Sequence, residues 1–281
     1  MILKNQVLNR HHKKPIVYDV FYNDNKQKKP LVLFCHGYKG FKDWGAWHLV
    51  AKTFLKANCV FLKFNFSHNG GTVKQPIDFP DLEAFGHNNY SKELEDLNDM
   101  IGFVLSDKNE FSQEIDLNQI IIIGHSRGGG IATLKASEDS RISKLITWAS
   151  VSDFKSRFGS EDEIEIWRKT GVKTVLNGRT KQEMPHYYQF YEDFKANETR
   201  LDIERAVKLL KIPHLIIHAK DDLSVLYEEA LNLHEWNPDS KLLALKGSNH
   251  VFGSSHPWKE DVLPKALNQV VEASIEFVIE K

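Results

Sequence analysis

Four consecutive isoleucines, Ile120 to Ile123, run straight into Gly124-His125-Ser126-Arg127-Gly128, and an apolar helical pattern follows. An apolar run with no polar alternation fits a strand buried on both faces, as in a parallel sheet. Similar runs recur at "PLVLFCHG" (30–37), "NCVFLKFNF" (58–66), "KLITWAS" (144–150), "IPHLIIHA" (212–219) and "KLLALKG" (241–247), while "IVYDVFY" (16–22) alternates. Helical patterns are predicted around 45–57, 90–106, 225–236 and 258–280. The second has Ser91 at its start and Leu94, Leu97, Ile101 and Val104 along one face. Strands alternating with helices predict an α/β fold with a mostly parallel sheet covered on both faces. At 281 residues and 41% apolar, the chain has material for a large core, and residues 1–281 read as one domain.

Residues 152–208 break the alternation. They are charged and aromatic, and "VLNGRT" (175–180) carries the Asn-Gly turn of a short hairpin. The stretch is too long for an ordinary loop and too short for an independent domain. It is expected to form a lid over one end of the sheet.

The glycines around Ser126 have a physical reading. Gly-x-Ser-x-Gly between a strand and a helix is a nucleophile elbow, a strained turn that lifts the serine hydroxyl clear of the sheet. A side chain two residues before or after the serine would collide with the neighbouring strand or helix. The backbone N–H of Arg127 then faces the place where a substrate oxyanion would form. Gly129 and Gly130 are expected to serve close helix–strand packing.

A nucleophilic serine needs a base, and the base an orienting acid. "HLIIHA" ends in Lys220-Asp221-Asp222-Leu223-Ser224-Val225, and the final core strand ends in "KGSNHVFG". These loops offer Asp221 or Asp222 as acid and His250 as base. His256, before Pro257 at a helix start, competes with His250 and reads as a surface residue.

These stretches together resemble the α/β-hydrolases, and more narrowly the dienelactone-hydrolase-like and feruloyl-esterase-like serine hydrolases. The resemblance is carried by "HGYKG" (36–40), "GHSRGG" (124–129), "HAKDDLSV" (218–225) and "SNH" (248–250), and it spans about residues 16–280 outside the lid. It implies an α/β-hydrolase fold with helices on both faces of a mostly parallel sheet and a lid insertion. The family's acid loop, aligned on Val225, puts the acid at Asp222, with Ala219 where a glycine is usual. The resemblance also implies that the Tyr38 N–H is the first oxyanion donor and that His36 supports its loop. "FNFSHNGGT" (64–72) is similar to a loop that flanks the pocket in such enzymes, which makes Ser67 and His68 candidates for touching substrate or, more simply, for packing the loop. Trp167, Tyr187, Tyr188, Phe190 and Tyr191 in the lid are candidates for an apolar wall around the substrate, or for the lid's own small core.

The expected activity is cleavage of a small-molecule carboxylic ester through an acyl-enzyme on Ser126, without a cofactor. The alternatives are a peptidase or acyltransferase using the same triad, or an inactive hydrolase-fold binding protein. No metal-ligand spacing is evident: His214 and His218 are four apart on a predicted strand, and there is no cysteine cluster. The net charge of −1, with acids and bases interspersed, gives no footprint for nucleic acid or an anionic membrane. No window reaches the ~18 apolar residues of a membrane span, and the N-terminus has no apolar stretch of signal-peptide length. Cys35 and Cys59 read as reduced core residues. A cytoplasmic location is the expectation.

Overall fold

The central sheet of the computed structural model, which describes residues 1–280, has eight strands. Its first half contains β1 (Ile2–Leu8), β2 (Ile16–Phe21), β3 (Lys29–Cys35), α1 (Trp47–Lys56), β4 (Val60–Phe64), α2 (Leu82–Gly86), α3 (Tyr90–Val104), β5 (Ile115–His125) and α4 (Arg127–Glu138). Then come β6 (Lys144–Trp148), α5 (Glu161–Thr170), β7 (Val172–Leu176), β8 (Glu183–Tyr187), α6 (Gln189–Ala196), α7 (Ile203–Leu209), β9 (His214–Ala219), α8 (Tyr227–Trp236), β10 (Lys241–Leu245) and α9 (Lys265–Ile279). The strand order is β1-β2-β4-β3-β5-β6-β9-β10. β1 and β2 run antiparallel at one edge, and every pairing from β4 to β10 is parallel.

The four isoleucines divide between two cores. Ile121 and Ile123 pack with α1 and α9 on one face, and Ile120 and Ile122 with α3, α4 and α8 on the other. All four are at most 1% exposed, and each fully buried side chain of this size contributes roughly 1.5–3 kcal/mol.

Most predicted strands match within two or three residues, with a few instructive departures. β1 is an unpredicted edge strand, bulged between Leu3 and Gln6, whose mixed pattern gives no clean alternation. Asn89, not Ser91, caps α3, because its side chain accepts the Lys92 N–H at 2.9 Å. α9 starts at Lys265 rather than 258, just after Pro264. The 152–208 stretch holds α5, the β7–β8 hairpin, α6 and most of α7. Its hairpin turn is not a two-residue Asn-Gly turn. It is a six-residue loop, 177–182, closed by Asn177 N–H to the Gln182 carbonyl at 2.8 Å. No helix among the described residues is long and apolar enough to cross a membrane.

Candidate active site

The parallel strands deliver four loops to one end of the sheet: 36–40 after β3, Ser126 after β5, 220–226 after β9 and 246–254 after β10. At the second of these, Ser126 has φ 56° and ψ −124°, a conformation that ordinary side chains rarely adopt. Packing leaves it no alternative. A Cβ on Gly124 would lie 2.3 Å from the Gly128 carbonyl oxygen, and one on Gly128 would lie 2.4 Å from that of His36. β5, α4 and the end of β3 thus meet backbone to backbone, and the serine stands at the N-terminus of α4.

The loop after β3 lies against this turn, since a Cβ on Gly37 would come 2.8 Å from the Ser126 Cβ. His36 holds the loop from below. Its Nε2 accepts the Phe66 N–H at 3.2 Å and its Nδ1 contacts the Gly37 carbonyl at 2.9 Å. Burial pushes its pKa down to about 4, so the ring is neutral near pH 7. The N–H groups of Tyr38 and Arg127 have no hydrogen-bond partner among the described residues. Two free donors beside the serine hydroxyl are the arrangement that stabilises a developing oxyanion.

Asp222 is buried and fully engaged. Its Oδ1 accepts the N–H groups of Ser224 and Val225 at 2.8 and 3.0 Å, and its Oδ2 faces His250 Nδ1 at 2.7 Å. His218 Nε2, which bonds the Val225 carbonyl at 2.9 Å, lies 3.4 Å from the same Oδ2. Burial works to raise the Asp222 pKa, but the hydrogen bonds from His218 and His250 prevail and hold it well below the usual carboxylate range. Asp221 points elsewhere, accepting the Gly247 N–H at 2.7 Å and pinning the loop after β10. His256 is half-buried rather than a surface residue. It accepts the Gly45 N–H at 2.9 Å and packs against Phe41 and Trp44.

Ser126 and His250 both line a cavity of about 500 Å³ between the strand-end loops and the 152–208 insertion. No direct hydrogen bond joins their side chains among the described residues. Such contacts are often long without substrate and tighten in the reactive complex. His125, next to the serine, donates from Nε2 to the His250 carbonyl at 3.0 Å and so ties the two loops together.

No family model and no curated protein matches this sequence. Solved structures do. Est1E from Butyrivibrio proteoclasticus is 18% identical, with 98% of this chain and 97% of that chain covered and a TM-score of 0.68. The α/β hydrolase GrgF from Penicillium sp. sh18 is 16% identical over 99% and 97% of the two chains, with a TM-score of 0.69. Dienelactone hydrolase from Anabaena variabilis is 15% identical over 96% and 95%, with a TM-score of 0.60. This chain has the α/β-hydrolase fold.

On this α/β-hydrolase scaffold, the residues singled out from the sequence do not all converge. Ser126, Arg127, Tyr38, His250 and Trp167 line the cavity, and Asp222 stands behind His250. Ser67 and His68 do not line it. Asp96 on α3 takes the Ser67 N–H at 2.7 Å and its hydroxyl at 3.0 Å, and Arg10 pairs with Asp96, so the loop is fastened to the helix. Tyr187 is also off the cavity. Strand parity on β8 turns Met184 and His186 inward and Tyr187 outward, where it covers Gly86 and bonds Glu83. Tyr188 packs edge-on against Trp167 and beside Tyr191.

Phe190, one of the insertion's aromatic candidates, lines the cavity as well. Sequence reasoning missed Lys39, Arg157, Lys173 and His186, which also line it and which no sequence signal marked. His186 is the most connected of them. Its Nε2 meets the Tyr38 hydroxyl at 2.7 Å, and its carbonyl accepts Trp167 Nε1–H at 2.7 Å. Among the described residues, no group of three His, Cys, Asp or Glu side chains is placed to hold a metal ion.

Proposed function

We propose that this protein is a serine hydrolase that cleaves a carboxylic ester through an acyl-enzyme. In this reading Ser126 Oγ attacks the ester carbonyl. His250 takes the hydroxyl proton at Nε2 and passes it to the leaving alcohol. Asp222 fixes the imidazole tautomer and stabilises the imidazolium. The Tyr38 and Arg127 N–H groups hold the oxyanion. Water, activated by the same imidazole, then releases the acid and restores the serine.

The observation that carries the reading is the positive-φ serine at the start of α4, sharing a cavity with a histidine whose Nδ1 is 2.7 Å from a buried aspartate. The two unpartnered N–H groups beside the serine support it. The test is a panel of p-nitrophenyl esters of rising acyl length, with a feruloyl ester and an aminoacyl anilide beside them. Ester hydrolysis that Ser126→Ala reduces to near background is the expected result. Preference for the anilide, or activity untouched by Ser126→Ala, would overturn the reading.

A further inference from the structure

The cavity in front of Ser126 is one-sided in charge. Four cationic side chains, Lys39, Arg127, Arg157 and Lys173, line it, and no carboxylate does. Arg157 is paired with Glu229. The other three are poorly matched. Lys39 has no hydrogen bond or ion pair among the described residues and rests near the Tyr38 ring. Lys173 bonds only the Phe158 carbonyl at 3.2 Å, over the face of Trp167.

Arg127 is the most exacting of the three. Its guanidinium is partly buried among the rings of Tyr38, Tyr90 and Phe190, and its sole carboxylate contact is Glu93 at 3.5 Å. Glu93 already takes the Asn88 amide N–H at 2.7 Å, and its Oε2 has no partner. A guanidinium has five N–H donors, and most of them are left open here. His186 adds no charge to this positive field, because it is neutral near pH 7. Its pKa is lowered to about 3, first by burial and then by the nearby charges of Arg127, Lys173 and Lys39. Partly desolvated cations that outnumber their counter-ions raise the energy of the empty cavity, and a matching anion relieves it.

We infer that the ester taken by this cavity carries a negatively charged group, of which a carboxylate is the simplest form, seated among Lys39, Arg127 and Lys173 beside His186. This substrate class rests on the serine-hydrolase reading above. The anion belongs either to the acyl part or to the alcohol part, and the two are separable by matched pairs. Ethyl hydrogen adipate against ethyl hexanoate places the charge in the acyl chain. 4-Acetoxybutanoate against butyl acetate places it in the alcohol.

In at least one pair the charged ester should have the higher kcat/KM, by about tenfold or more, as expected for one charge-assisted contact. The Lys39→Met/Lys173→Met variant should lose most of that ratio, and each single variant part of it. Preference for the neutral ester in both pairs would overturn the inference, as would a ratio indifferent to the lysines. Calorimetry on Ser126→Ala is independent of turnover, and ethyl hydrogen adipate or 4-acetoxybutanoate should bind about tenfold more tightly than its neutral partner. Selective binding without hydrolysis of any ester by the native protein would leave the anion site standing and remove the hydrolase reading. Hydrolysis without charge selectivity would do the reverse.

Discussion

The strand-end loops and the 152–208 insertion face the same cavity but are held by different forces. At the loops, backbone meets backbone: α4 touches β5 at Gly124 and the end of β3 at Gly128, with no room for a methyl group. The insertion is held by side chains. Phe154 stacks on Tyr90 of α3 at 3.8 Å between ring centroids, and Phe158 sits among Trp167, Phe190, Tyr191 and Phe194. Backbone contacts fix atoms regardless of which substrate arrives. Side-chain packing can be retuned one residue at a time, so the first region suits chemistry and the second suits selection.

The largest effect expected from this contrast is at the acid. Asp222→Asn should reduce kcat by a factor on the order of 10⁴, because the amide favours the wrong imidazole tautomer. Asp221→Asn, which loses only a bond to Gly247 N–H, should cost less than about tenfold. Equal losses in steady-state kinetics would mean that the 2.7 Å contact at His250 does not define the acid.

The elbow comes next. Gly128→Ala should destabilise by more than about 3 kcal/mol or prevent folding, since two carbonyl oxygens would have to move. Gly102→Ala on the exposed side of α3, where a Cβ meets nothing within 4 Å, should stabilise by about 0.5–1 kcal/mol. Denaturant midpoints separate the two. A tolerated alanine at 128 would show that the turn is not clamped by backbone.

In the insertion the effects should depend on the substrate. Phe190→Ala is expected to lower kcat/KM for bulky esters by about 10- to 150-fold, the value of roughly 1.5–3 kcal/mol of apolar contact. Val175→Ala, at the half-open edge of the cavity, should cost a few-fold. Acetyl esters should change little in either variant, once circular dichroism shows both to be folded. Tyr187→Ala should alter neither substrate, because that ring faces Gly86. Parallel losses for acetyl and bulky esters would make the insertion a support for the loops rather than a selector.

The effect furthest from the cavity is acid sensitivity in the sheet. His214 is buried, bonds the Thr147 hydroxyl at 3.0 Å, and has its pKa lowered to about 3 by burial and then by His234. In the unfolded chain it titrates near 6.5. Between those values the unfolded chain binds the proton and the folded chain does not, so stability falls as pH drops. His214→Asn should flatten that slope by about 1.4 kcal/mol per pH unit between pH 6 and 4. An unchanged slope would place the acid sensitivity elsewhere.

The same contrast explains what the sequence made legible. Continuous apolar runs and glycine spacing report backbone burial, and backbone sets where Ser126, Asp222 and His250 stand. The loop alignment on Val225 favours Asp222 over Asp221, and Asp222 is the carboxylate that faces His250 Nδ1. In the insertion, the inward residues of β8 are Met184 and His186, and nothing in "EMPHYY" declares that parity over its opposite, so the sequence leaves both readings of Tyr187 open and gives His186 no mark. Of the two readings open for Ser67 and His68, the structure shows loop packing, because Asp96, 29 residues away in sequence, captures Ser67. Nothing in the sequence marks Lys39 and Lys173 either, because only the assembled cavity shows that no carboxylate lines it with them.

Reaction of the native protein with a fluorophosphonate probe, followed by peptide mass spectrometry, bears most directly on the proposal that Ser126 is an activated nucleophile. Only a serine with a working base and oxyanion donors reacts readily. A single adduct on Ser126, lost in Ser126→Ala and strongly slowed in His250→Ala, is the expected result. An adduct on another serine, or none on protein that hydrolyses esters, would contradict it.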